Sequence, residues 1–198
     1  MSAKYLTCAE TAVLVRKALK EAFPRVKFSV RTSVYSMGAS VRVAWVDGPN
    51  EAQVEAVAHV FQGAYFDGGI DYQGAIYHML DGQQVRFGAD SIHCNRHFSE
   101  AAIQAAIDRV YRGHAGTFTE AGIDKPTPAQ YERGALRSTQ LDGMVDDLQH
   151  EIAKVLHKNT DRMKVEKSAT AGRVFVTHDD GYSRTNGSGF SAVAHETL

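Results

Sequence analysis

The sequence predicts an α+β fold in which helices pack on one face of an antiparallel sheet, followed by a C-terminal helix and hairpin extension. Three observations carry that prediction. Apolar residues recur every three or four positions over residues 8–23, 52–61 and 102–110, as helices with one buried side require. Over residues 26–31 and 40–46 the period drops to two, which is the mark of half-buried strands. Asp81-Gly82 then separates two short apolar runs by the two residues that a tight hairpin turn needs.

The first helix is placed from about Cys8, because in Thr7-Cys8-Ala9-Glu10 the Thr and Glu have the spacing to satisfy each other's free backbone donors. Cys8, Ala12, Val15, Leu19, Ala22 and Phe23 form its stripe, and Pro24 ends it. A strand is expected from Val26, with Val26, Phe28 and Val30 on one face and Lys27, Ser29 and Arg31 on the other. The connection 33–39 contains Gly38 and leads into a second strand, Ser40 to Val46, whose Val41, Val43 and Trp45 share a face. Asp47-Gly48-Pro49 opens a second helix that stops at Gly63, and residues 64–73 read as a loop or distorted strand. Ile76 to Leu80 and Gln84 to Phe87 make the hairpin around Asp81-Gly82. Ser91 to His97 is a further strand with Ile92 and Cys94 inward, and Ser99 caps a third helix bearing Ile103, Ala106, Ile107 and Val110. Trp45, Phe28, Phe61, Leu19, Ile103 and Ile107 are the expected core.

The domain boundary is placed at Gly113, giving an α+β domain over 1–113 and a linker with a helical and β extension over 114–198. Gly116, Gly122, Pro126 and Pro128 mark the change of composition. Thr127-Pro128 starts a short helix, and an amphipathic helix is expected from Leu141 to Leu156 despite Gly143. A last strand, Arg173 to Thr177, is paired in this reading with Gly189 to Ala194.

Composition excludes several functions. The 198 residues carry 22 Lys and Arg against 23 Asp and Glu, net charge −1, so global charge argues for neither nucleic-acid nor membrane binding. No apolar run has the length of a membrane span, and the start MSAKYLTCAET lacks the apolar stretch of a secretory signal, so the protein is expected in the cytoplasm of whatever cell makes it. Cys8 and Cys94 are read as reduced thiols. Nucleophile-elbow, phosphate-loop, H-E-x-x-H and dinucleotide signatures are absent, so the catalytic residues are unknown, no cofactor is expected and the reading leans away from an enzyme.

Two groups of residues remain. His93, Cys94 and His97 are all zinc or copper ligand types, but strand alternation sends Cys94 to the face opposite the histidines, so no metal site is expected. Asp67 and Asp71, with Asp81 and Asp90 later, offer carboxylates for acid–base work or a divalent cation, but Asp-Gly-Gly and Asp-Gly are ordinary turn sequences and the turn reading is preferred. His178-Asp179-Asp180, beside Arg184 and Asn186, reads as a solvated hairpin tip or a ligand loop. The more informative feature is local charge: residues 16–31 hold six basic side chains against Glu21 alone. If the first hairpin pairs, Lys27, Arg31 and Arg42 share the outer face of the sheet, which is then either solvated or able to contact phosphates. The exposed connection adds Tyr35 and Met37 as candidate contacts.

The run YLTCAETAVLVRKALKEAFPRVKFSVRTSVYSMGASVRVAWVDGP, followed by QVEAV, the aromatic F-Q-G-A-Y-F-D-G segment and FGADSIHCNRHFS, resembles the twenty-ninth class of large polyvalent protein-associated domains. The resemblance covers about Lys4 to Arg112. It implies a protein of a phage or conjugative element, working in the cytoplasm of a bacterial host cell with a role against host defences, and carries over no catalytic residue. The reading that follows is a non-enzymatic interaction protein that binds a host protein or ribonucleoprotein. The alternatives are a small nucleic-acid-binding accessory protein, and an enzyme with a site near His93, His97 and the Asp67 to Asp71 loop.

Overall fold

The structure, a computed structural model, describes residues 3–158 and 163–183. Its contacts divide the chain into two compact units. The first comprises the described residues of Met1–Trp45, Asn50–Arg96 and Met163–Leu198, and the second Val46–Pro49 and His97–Arg162. The boundary expected at Gly113 falls inside the second unit.

In the first unit β1 (Lys4–Leu6) leads into α1 (Cys8–Ala22), whose start has both halves of the expected capping box: Thr7 Oγ1 accepts from the Glu10 N–H, and Glu10 accepts from the Thr7 N–H. The expected strand from Val26 begins later, as β2 (Ser29–Tyr35), because the Val26 N–H is turned back onto the Phe23 carbonyl at 3.0 Å. β3 (Gly38–Val46) returns through the two-residue turn Ser36-Met37, and α2 (Glu51–Ala58) follows, capped by Asn50. Residues 64–67 form a true strand, β4 (Ala64–Asp67), antiparallel to β5 (Tyr72–Leu80); Asp81-Gly82 then turns β5 into β6 (Gln83–Phe87), as expected. β7 (Ser91–His97) and, after the second unit, β8 (Val174–Asp179) complete the strands.

The α+β class holds, with the strands divided between two sheets. One has the order β1-β6-β5-β4 with β8 also on β5, and the other β2-β3-β7. β1 runs parallel to β6, so the first sheet is mixed and not purely antiparallel. The partner expected for the last strand, Gly189 to Ala194, lies outside the described residues; β8 pairs antiparallel with β5, from Leu80↔Val174 to Ile76↔Asp179.

Leu19, Trp45 and Phe61 are buried in the first unit's core with Val41, Val43, Phe87 and Ile92, and half-buried Phe28 packs against them. Phe28 bridges Phe23 and Trp45 at ring separations of 5.8 and 5.7 Å. Ile103 and Ile107 belong elsewhere. They lie on α3 (Glu100–Gly113) in the second unit's own core, with Val110, Phe118, Leu136, Leu148 and Ile152. That unit also contains α4 (Ala115–Ala121), which stands where a linker was expected, α5 (Pro128–Glu132) with the Thr127 cap, and α6 (Leu148–Lys158). The helix expected from Leu141 starts only at Leu148, because Gly143 adopts φ +80° and breaks it. Leu141 and Met144 are buried all the same.

Candidate functional site

The outer face of the β2–β3 ribbon follows from register. Val30 faces Val43 and Thr32 faces Val41 on the inner side; one residue over, Arg31 and Arg42 are Cα partners. Alternation therefore sets both guanidinium groups on the outer face, where both residues are exposed. Ser29, Ser33, Ser40 and Ala44 join them around a depression of about 350 Å³. Small hydroxyl side chains leave room between the arginines and supply further donors. Among the described residues no ion pair engages either arginine.

Of the residues singled out from the sequence, the structure brings Arg31 and Arg42 together. Lys27 is exposed but lies two residues before β2, outside the paired register. Tyr35 and Met37 are exposed at the end of the ribbon, 52% and 88% respectively, and the Tyr35 ring lies over Gly38, where a Cβ would stand 3.2 Å from it. Asp90 fastens this end: its Oδ2 accepts the Ala39 N–H at 2.8 Å, and its own N–H donates to the Ala39 carbonyl.

Beside the ribbon, a cavity of about 430 Å³ opens between β7, β4 and the end of α2, lined by Tyr35, Glu55, His59, Tyr65, Phe66 and His93 among others. His93 and His97 are exposed while Cys94 between them is half-buried against the core, so the alternation separates them as the sequence required. Burial pushes the Cys94 thiol up to about 12, with Glu55 and Glu51 adding to the effect, and burial followed by Asp90 raises Cys8. Both shifts disfavour the thiolate, the form that acts as a nucleophile. Among the described residues no group of three His, Cys, Asp or Glu side chains could hold a metal ion. The aspartates serve turns: Asp67 is buried and accepts the Gly69 N–H at 2.9 Å, Asp71 and Asp81 adopt positive φ, and Asp81 pairs with Arg173 at 2.9 Å.

Asp180, read from the sequence as part of a solvated hairpin tip or a ligand loop, is the acceptor of a polar centre whose donors sequence reasoning did not find. Asp180 accepts hydrogen bonds from Tyr65 Oη at 2.7 Å, Tyr72 Oη at 2.8 Å and the Ala75 N–H at 3.0 Å, and Ser183 Oγ donates to Asp67. Burial works against the Asp180 charge, but the hydroxyl and amide donors outweigh it and hold the carboxyl below its ordinary value. Burial and the bond to Asp180 push Tyr65 up to about 12. The available signal was Tyr65 itself, since a buried tyrosine hydroxyl needs a partner. The centre joins strand ends more than 100 residues apart, and its groups are paired with one another, which reads as a clamp.

Residues 6–99 match the family model described as large polyvalent protein associated domain 29. No curated protein and no solved structure matches the chain. The matched segment contains α1, the whole β2–β3 ribbon, α2 and the strands through β7, so the exposed arginine face lies within it. The match over residues 6–99 gives the chain a segment similar to large polyvalent protein associated domain 29, and so marks a protein associated with phages and other mobile elements.

Proposed function

We propose that this protein is a non-enzymatic interaction protein that docks an anionic host macromolecule on the outer face of the β2–β3 ribbon and counters a host defence by occupying it. The observation that carries the reading is the register of Arg31 with Arg42. Like charges directly opposite one another in a sheet are destabilising, and here no neighbouring carboxylate offsets them among the described residues. An anion shared by the two guanidinium groups supplies the missing counter-charge, and Arg recognises carboxylates and phosphates in a fork geometry. Tyr35 and Met37 add exposed apolar area at the turn end of the ribbon, beyond the arginine pair. The site of action is the cytoplasm of the bacterial host; no helix among the described residues is long and apolar enough to cross a membrane.

A second reading, direct nucleic-acid binding, draws on Ser29, Ser33 and Ser40, whose hydroxyls suit phosphate oxygens. The enzymatic reading near His93 and His97 has less support, because the adjacent thiol is held protonated and the aspartates are committed to turns.

Recovery of the tagged protein from nuclease-treated host lysate, beside an Arg31→Glu/Arg42→Glu variant, separates these readings. A stoichiometric protein partner lost only in the variant supports the proposal. Nucleic acid alone, released steeply by salt, supports the second reading. A partner retained by a folded double variant removes the ribbon face from the proposal.

A further inference from the structure

We infer that the outer half of β2 takes up an extended acidic segment of a partner protein as an added strand. This rests on the reading of the ribbon as the docking surface and specifies what docks there and how. The argument starts from where backbone groups point. In an antiparallel pair, facing residues alternate between those that exchange hydrogen bonds and those whose N–H and C=O point away from the partner strand. Ala39 directs both its groups at Asp90, on the side away from β2. Its Cα partner is Val34, so Val34 points outward too, and by alternation so do Thr32 and Val30. An independent contact agrees: the Val30 carbonyl is free to accept from Arg16 Nη2 at 3.0 Å. That arginine covers Val30. Thr32 and Val34 have no such cover among the described residues, which leaves two N–H and two C=O groups along an open edge.

The other edge of the same sheet is closed by side chains. The Ile92 N–H donates to Gln62 Oε1 at 3.2 Å, and the Ile92 carbonyl lies 3.0 Å from His59 Nε2, which serves as donor. The Arg96 N–H donates to Glu51 Oε1 at 3.2 Å. Sheets generally blunt their edges against stray pairing. Here β7 is blunted and the outer half of β2 is not, which is the condition for strand addition, where main-chain bonds give affinity and alternate side chains give specificity.

The faces of β2 then define the occupant. An added strand meets Arg31 on its outer side and Thr32 and Val34 on its inner side, and Val34 is 77% exposed. The complement is a segment alternating acidic and β-branched apolar residues. A second copy of β2 is a poor occupant, because it brings another Arg31 to the same face and the strand Ser29–Tyr35 holds no acid to meet it.

The test is a titration of the isotope-labelled full chain, followed by amide NMR, with a capped octapeptide of alternating valine and glutamate. Its valine–lysine counterpart, heparin and a single-stranded oligothymidylate are run alongside. The valine–glutamate peptide is expected to shift the Thr32 and Val34 amides and slow their hydrogen exchange, while the lysine peptide does neither. Val34→Pro removes an outward N–H and no ladder bond. It is expected to weaken the peptide by about tenfold or more while heparin affinity stays unchanged. The same peptide N-methylated at alternate residues fails on the unaltered protein, a control that does not depend on how the proline variant folds. Undiminished binding of the N-methylated peptide, or by folded Val34→Pro, overturns strand addition yet leaves the arginine face as an anion-docking surface. Binding of neither peptide nor heparin overturns both. Binding of the oligonucleotide but not the peptide replaces the acidic segment with nucleic acid.

Discussion

Arg31 and Arg42 are Cα partners across the β2–β3 ribbon, two exposed cations set side by side on a hydroxyl-lined face. A fold has little reason to keep that arrangement for its own stability. Replacing either arginine should therefore cost the domain nothing while removing charge from the proposed docking face.

Arg42→Thr is expected to raise the stability of the free protein by a few tenths to about 1 kcal/mol at low ionic strength, since an unfavourable cross-strand pair is lost and a β-branched residue gained. The gain should shrink as salt is added, because exposed charges are screened. Thermal unfolding at two salt concentrations measures both effects, and a destabilised variant at low salt would show that an attractive contact had been removed.

Asp180→Asn is expected to destabilise the first unit by about 1–3 kcal/mol, because the Tyr65 hydroxyl is buried and loses a charged acceptor. Tyr72→Phe, at an exposed hydrogen bond, should cost less. Denaturant unfolding of the two variants ranks them, and equal effects would count against the clamp.

His78 is almost fully buried against Phe87, and burial lowers its pKa from the ordinary 6.5 to about 4. The folded state thus keeps the imidazole neutral over a range in which the unfolded chain binds a proton. Its contribution to stability is fully present above about pH 6.5 and is lost progressively as pH falls towards 4, with a difference on the order of 3 kcal/mol. His78→Phe should flatten the stability profile across that window; an unchanged slope would assign it to other groups.

Gly63→Ala and Gly113→Ala should act in opposite directions. A Cβ on Gly63 would stand 1.9 Å from the Phe87 carbonyl oxygen, a backbone atom, so the close approach of two segments must open at a cost of roughly 1–3 kcal/mol. Gly113 ends α3 with nothing within 4 Å of the same position, and alanine there should stabilise the helix by up to about 1 kcal/mol. Melting temperatures of the pair provide the comparison.

Native Cys8 and Cys94 should react slowly with an aromatic disulfide reagent at pH 8 and at ordinary thiol rates in denaturant, because burial keeps both protonated in the fold. A fast native phase would reopen the reading of a reactive centre beside His93.

How far the sequence reveals this molecule depends on the range of each interaction. The Thr7–Glu10 box, the Asp81-Gly82 turn and the shared face of Arg31 and Arg42 are decided within a few residues or by one hairpin, and they were legible. β1 was not, because three residues of Lys4–Leu6 have no periodicity to detect and depend on a parallel partner near Val85. The α3 stripe was read correctly, but periodicity says only that a face is buried and not against what; Ile103 and Ile107 joined a core with Leu148 and Ile152. Asp180 was invisible as an acceptor because its donors, Tyr65 and Tyr72, lie more than 100 positions earlier.

The return of the chain to β5 through β8 has a consequence for the order of assembly. The first unit is interrupted by the second, and its last strand reaches the sheet only after residues 97–162 have been made. During synthesis the stretch of β5 from Ile76 to Leu80 therefore waits with one side unpaired until Val174 to Asp179 emerges, and such distant pairings are slow to close. A ribosome-bound chain that stops at Ser99 holds the entire family-matched segment and still lacks a strand of its own sheet.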